Sequence, residues 1–199
     1  MKPKHVSDSA PKAPVSTVGA THVTVNRAPV LTLWAAVVAR RLGFEREEAL
    51  TLGRVVAGLN AYAKGKALGL YHPRAETVSK ERKRLELGSV LHVHLLNRAV
   101  PMVRTDAGLR AVSKDKPVTP ESVQRYLEAR FGDMLEPTEA AMMSLARSIP
   151  DEELAAKAYP LYETFRPQIP AGVAGWGAVG ILDLEQIRRL AAHRARGSS

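Results

Sequence analysis

From Asn26 to Ala63 the chain carries two helical patterns in succession, joined at Gly43. This pair restricts the fold more than any other feature. In the first, Val30, Leu31, Leu33, Trp34, Val37 and Val38 leave few polar positions, so a helix over 26–42 must be buried on most sides. Asn26 suits its N-cap and Gly43 the residue just past its end. In the second, from Glu45 to Ala63, Leu52, Val55, Val56, Leu59 and Tyr62 recur at helical spacing, and Ala49, Gly53 and Ala57 form a separate stripe of small residues. Such a stripe lets another helix approach closely. Ala35, Ala36 and Ala39 are its natural partners, so the spacing predicts a tight αα-hairpin.

Around this hairpin the pattern changes several times. THVTV (21–25) reads as a short strand. Gly65, Gly69 and Pro73 favour a loop after the second helix, with a short polar helix over 75–86. Residues 89–113 read as strands, with VPMVRT and LRAVSK forming an antiparallel hairpin about the turn TDAG and Pro101 at an edge or strand start. Thr119-Pro120-Glu121 opens a helix that ends at Gly132. Further helices follow from Pro137 to Ser148, from Asp151 to a break at Pro167 with a bend at Pro160, and from Asp183 to Ala192. The expected class is α+β, mainly α-helical with about six helices and a small β-hairpin element near 89–113. Residues 21–193 are read as one globular domain, divisible into a helical lobe at 21–88 and a second lobe at 89–193. A disordered Pro-, Ser- and Lys-rich tail at 1–20 precedes it and a short tail at 194–199 follows.

Composition bounds the chemistry. With no cysteine there is no disulfide, thiolate metal site or thiol nucleophile, and a reducing cytoplasm fits. The longest near-apolar run, at 28–39, is too short to span a bilayer, and the first residues lack the apolar stretch of a secretory signal. No membrane partner is expected.

Two glycine patterns invite a nucleotide reading and fail it. GWGAVG (175–180) fits G-x-G-x-x-G, but two prolines precede it, the next helix starts after Gly180, and too few residues follow for the rest of a dinucleotide unit. It is read as a connector anchored by Trp176. GRVVAGLN (53–60) has the glycines of a P-loop, yet Leu59-Asn60 stands where Lys-Ser/Thr is required. His92 and His94 share one face of a strand without a nearby third ligand. The acidic run 151–153 suits a helix start. No catalytic, cofactor or metal residue is identified.

The stretch ARRLGFEREEALTLGR (39–54) resembles a helix-turn-helix segment, with Gly43 at the turn and Ala49 and Leu52 at packing positions. The resemblance implies that residues 45–54 enter the major groove. Glu45, Glu47 and Glu48 stand where that surface should be neutral or basic, which favours a packed hairpin instead.

Charge is the sharper clue. The net charge is +9, whereas residues 120–165 hold nine acids and four bases, a net of −5 that leaves +14 for the remainder. Lys64, Lys66, Arg74, Lys80, Arg82, Lys83 and Arg84 cluster within 64–84, and Arg104 and Arg110 lie in the strand region. Glycines among the lysines let backbone N–H groups approach a phosphate, and Tyr62 and Tyr71 flank them as stacking groups. These nine basic residues are the expected contacts of a protein that binds DNA or RNA mainly through phosphates, with weak sequence preference. Two other readings remain. The chain could be a protein–protein adaptor or self-associating protein, docking basic face to acidic face. It could be an enzyme on an anionic substrate, with His72 or His92 and His94 near the lysines and Arg104.

Overall fold

The computed structural model describes residues 21–67, 90–173 and 178–197. The expected tail at 1–20, the polar helix over 75–86, Tyr71, His72 and Trp176 lie outside them. The fold is mixed α+β. Strand β1 (His22–Asn26) leads directly into α1 (Arg27–Arg41), which turns back as α2 (Arg46–Ala67). Four strands follow: β2 (Leu91–Leu95), β3 (Arg98–Thr105), β4 (Gly108–Ser113) and β5 (Lys116–Pro117). Then come α3 (Pro120–Phe131), a 3-10 turn (Gly132–Met134), α4 (Leu135–Arg147) and α5 (Asp151–Phe165). Strand β6 (Val179–Asp183) and α6 (Leu184–Gly197) close the described chain.

The hairpin forms as its small residues require. Every residue of α1 from Pro29 to Ala39 is buried. Phe44 N–H donates to Ala39 C=O and Gly43 N–H to Arg40 C=O, a two-bond closure of the helix end that needs the positive φ of +97° found at Gly43. A Cβ placed on Gly53 would fall below 3.0 Å from the Thr32 carbonyl oxygen, 3.0 Å from Ala36 N and 3.2 Å from Ala36 Cβ. Glycine is therefore required there by backbone approach.

The β element is larger than a hairpin. Strands β2 to β5 form an antiparallel meander in the order β2-β3-β4-β5. Besides the expected turn before Gly108, turns occur at Leu96-Asn97 and Lys114-Asp115, where all four residues have positive φ. Leu96 accepts that conformation while its side chain is buried in the core. Pro101 lies inside β3 opposite His92, just before the residues that pair with β4, where a missing N–H interrupts little. Thr51 on α2 accepts a hydrogen bond from the Ala111 backbone N–H at 3.1 Å, joining the sheet to the hairpin.

One long-range pairing differs from expectation. β1 pairs antiparallel with β6, from His22–Asp183 to Asn26–Val179. Residues 179 and 180 thus belong to a strand rather than a connector. Asp183 Oδ1 accepts the N–H groups of Glu185 and Gln186, capping α6 as its position suggests. That helix continues to Gly197, past the expected end at Ala192. α5 runs unbroken through Pro160. It is fastened to α1 by Trp34, whose Nε1–H donates to the Ala158 carbonyl at 2.8 Å and whose ring meets Phe165 edge-on at 5.3 Å.

Candidate anion-binding cleft

Fastening α5 across α1 opens a cleft of about 630 Å³ lined by the N-terminus of α1, the last turns of α2, the start of β3, the second half of α5, Ile169 and Ala178. Its polar lining is Arg27, Asn60, Lys64, Arg98, Tyr159, Tyr162, Glu163 and Arg166. Among the described residues, four cations therefore face one carboxylate. Each arginine is held by a different element. Arg98 follows the Leu96-Asn97 turn and donates Nε–H and Nη2–H to Asn60 Oδ1, at 3.1 and 2.9 Å. Arg27, first in α1, donates Nε–H to the Pro167 carbonyl at 3.3 Å. Arg166 pairs with Glu163 at 2.9 Å. Lys64 is exposed and has no ion-pair partner among the described residues.

The charged groups share the cleft with a pair of tyrosines. Tyr162 is buried, donates its hydroxyl hydrogen to the Arg27 carbonyl at 3.2 Å, and lies 6.1 Å from the Tyr159 ring. Burial pushes the Tyr162 phenol well above its ordinary range, with Arg27 and Arg166 opposing. Burial also raises Tyr159, helped by Glu163, while Arg98 and Arg166 act against it. Three guanidinium groups from distant parts of the chain thus bear on one tyrosine pair. α1 adds to the positive field, because its first turn has no acidic residue and Asn26 makes no side-chain cap bond to its N–H groups.

The nine residues expected from the sequence separate sharply. Lys64 lines the cleft, Lys66 is exposed on the same last turn of α2, and the neighbouring Tyr62 is exposed. Arg104 is exposed on β3, outside the cleft lining. Arg110 is a correction. It is 6% exposed, donates to Glu47 of α2 and to the Leu109 carbonyl at 2.9 Å, and so is committed to partners inside the protein. Arg74, Lys80, Arg82, Lys83 and Arg84 lie outside the described residues. Arg27, Arg98 and Arg166, which no sequence pattern singles out, supply most of the cleft's charge.

The other motifs resolve as packing. The segment 46–54 is pressed between α1 and the sheet. Ala49 to Gly53 are buried, Glu47 is bound to Arg110, Arg46 donates to Gln124 and Arg54 stacks on Tyr126 at 4.6 Å, so the segment's main role is packing. His92 and His94 are exposed on β2, and strand alternation puts them on the face opposite Arg104. No cluster of three or more His, Asp or Glu with metal-ligand geometry occurs among the described residues. Part of the acidic segment is neutralised internally, since Glu139 pairs with Arg40, and Asp151 pairs with Arg41 at 2.6 Å. No helix among the described residues is long and apolar enough to cross a membrane.

What is established is thus an α+β protein with a basic cleft. No family model, curated protein or solved structure matches the chain.

Proposed function

We propose that this protein binds nucleic acid, chiefly through phosphates and with weak sequence preference, in the cytoplasm that its cysteine-free composition permits. The observation that carries the reading is the cleft, where, among the described residues, Arg27, Lys64, Arg98 and Arg166 stand against one carboxylate, Glu163, beside two tyrosines. Cations arranged with aromatic rings pair with phosphate and stack on a base without reading its identity, the chemistry of sequence-tolerant binding. Lys66 is exposed on the same last turn of α2, and the net charge of +9 favours association with any polyanion. The internal pairing of Glu139 and Asp151 leaves less acidic surface for an adaptor or a second copy to use.

The test is a titration of the full chain against a duplex, a single strand and a structured RNA at several salt concentrations, with polyglutamate as a polyanion control. Saturable binding to at least one nucleic acid, falling with salt and stronger than binding to polyglutamate, is expected. Binding to polyglutamate alone, or self-association without nucleic-acid binding, would transfer the proposal to the adaptor class.

A further inference from the structure

We propose that the cleft holds a phosphomonoester joined to a flat ring, meaning the 5′-terminal nucleotide of a strand or a free mononucleotide. The strand-end form rests on the nucleic-acid reading above; the free form stands without it. The first argument is charge. A phosphomonoester carries roughly −1.5 to −2 near neutral pH, whereas a phosphodiester within a strand carries about −1. Four cations against one carboxylate are matched better by the more highly charged group.

Preorganisation is the second. Arg98 uses Nε and Nη2 on Asn60, and Arg27 uses Nε on the Pro167 carbonyl. Both guanidinium groups are therefore fixed in place by uncharged acceptors, with nitrogens left over. Planar guanidinium groups held this way suit the oxygens of a terminal phosphate. Both arginines line the same cleft as Tyr159 and Tyr162, whose rings lie 6.1 Å apart, so they face one locus.

The third argument is the rest of the lining. Leu31, Ala57, Ala61 and Ile169, together with the tyrosines, give the cleft an apolar part beside its charged part. At about 630 Å³ it has the capacity of a single small-ligand site, which suits one nucleotide better than a continuous strand.

The experiment compares one single-stranded oligonucleotide, labelled at its 3′ end, with a 5′-phosphate and with a 5′-hydroxyl, by fluorescence anisotropy. Adenosine 5′-monophosphate and adenosine are tested in parallel by calorimetry. The 5′-phosphorylated strand should bind about tenfold or more tightly than its 5′-hydroxyl twin, as expected for a few added charge-assisted hydrogen bonds. The monophosphate should bind and adenosine should not. Arg98→Gln should erase the preference. Lys64→Gln, at an exposed site without an ion-pair partner among the described residues, should reduce it and guards against misfolding of the first variant. Equal binding of both strands with no monophosphate binding would overturn the proposal and leave the nucleic-acid reading intact. Monophosphate binding without strand binding would support the cleft site and overturn the nucleic-acid reading. A preference that persists in both folded variants would move the site elsewhere and refute the assignment.

Discussion

The α1–α2 contact makes a sharp demand on two glycines of the same helix. At Gly53 an added methyl would press on the Thr32 carbonyl oxygen and the Ala36 backbone nitrogen, neither of which can rotate away. At Gly58, one turn and a half further on, a Cβ meets no atom of the described residues within 4 Å. Alanine is favoured over glycine inside a helix by about 0.8–1 kcal/mol at both sites. At Gly58 that gain is unopposed, so Gly58→Ala should stabilise by up to about 1 kcal/mol. At Gly53 overpacking costs roughly 1–3 kcal/mol, and a backbone obstacle belongs at the upper end of that range. Gly53→Ala should therefore destabilise by about 1–2 kcal/mol net. The gap between the two variants is then roughly 2–3 kcal/mol, which corresponds to a Tm difference of about 4–12 °C at this chain length. Urea unfolding followed by circular dichroism, with an unchanged m-value, measures it. A Gly53→Ala variant as stable as Gly58→Ala would refute the close hairpin.

Other elements make their own demands. Glu47→Ala strips the partner from a nearly buried Arg110 but leaves a route to water through the exposed glutamate position; the expected loss is about 1–2 kcal/mol, between that of an exposed pair and a buried one. Urea unfolding should place it below Glu139→Ala in stability, and the reverse order would contradict the burial of Arg110. Gly180→Ala puts a Cβ 2.5 Å from the Gln168 carbonyl oxygen, so it should lower Tm through strain of roughly 1–3 kcal/mol, and an unchanged melt would mean that the 168–181 bridge is not formed. Burial raises the folded-state pKa of Tyr162 above its unfolded value of about 10, so its contribution to stability is complete below that pH and is lost as pH rises beyond it. Tyr162→Phe should lose about 0.5–1.5 kcal/mol at neutral pH with its hydrogen bond to Arg27, yet decline less steeply in alkali. Parallel stability curves for the two proteins above pH about 10 would refute that role.

The parts legible in the sequence are those whose causes are local. The hairpin is written in Gly53 facing Ala36, the α1 stop in Gly43, and the start of α6 in Asp183. β6 is hard to see because its partner lies more than 150 residues earlier, at His22–Asn26, and because Gly180 looks like part of a phosphate motif. Its glycine answers to the backbone of Gln168 instead. The Leu96-Asn97 turn is hidden because a leucine rarely tolerates positive φ unless its side chain is anchored. The cleft is the least legible feature. Arg27, Arg98 and Arg166 have no spacing in common, and they meet only because α5 folds over α1 and the start of β3 docks on Asn60 of α2. Lys64 stands out because it belongs to a run of like charges. Arg110 misleads for the opposite reason, since its partner Glu47 sits on α2, 63 positions away.

The most direct test of the cleft and the adjoining turn of α2 as a phosphate-binding surface is the salt dependence of single-strand binding in the wild type and in Lys64→Gln/Lys66→Gln. Both lysines are exposed, so the variant should fold normally. Each phosphate that is no longer neutralised should flatten the plot of log affinity against log salt by about 0.7, so the double variant should bind more weakly at every sequence with a slope reduced by roughly 0.7–1.4. A folded double variant with the affinity and slope of the wild type, or a wild type that binds no strand at low salt, would contradict the account.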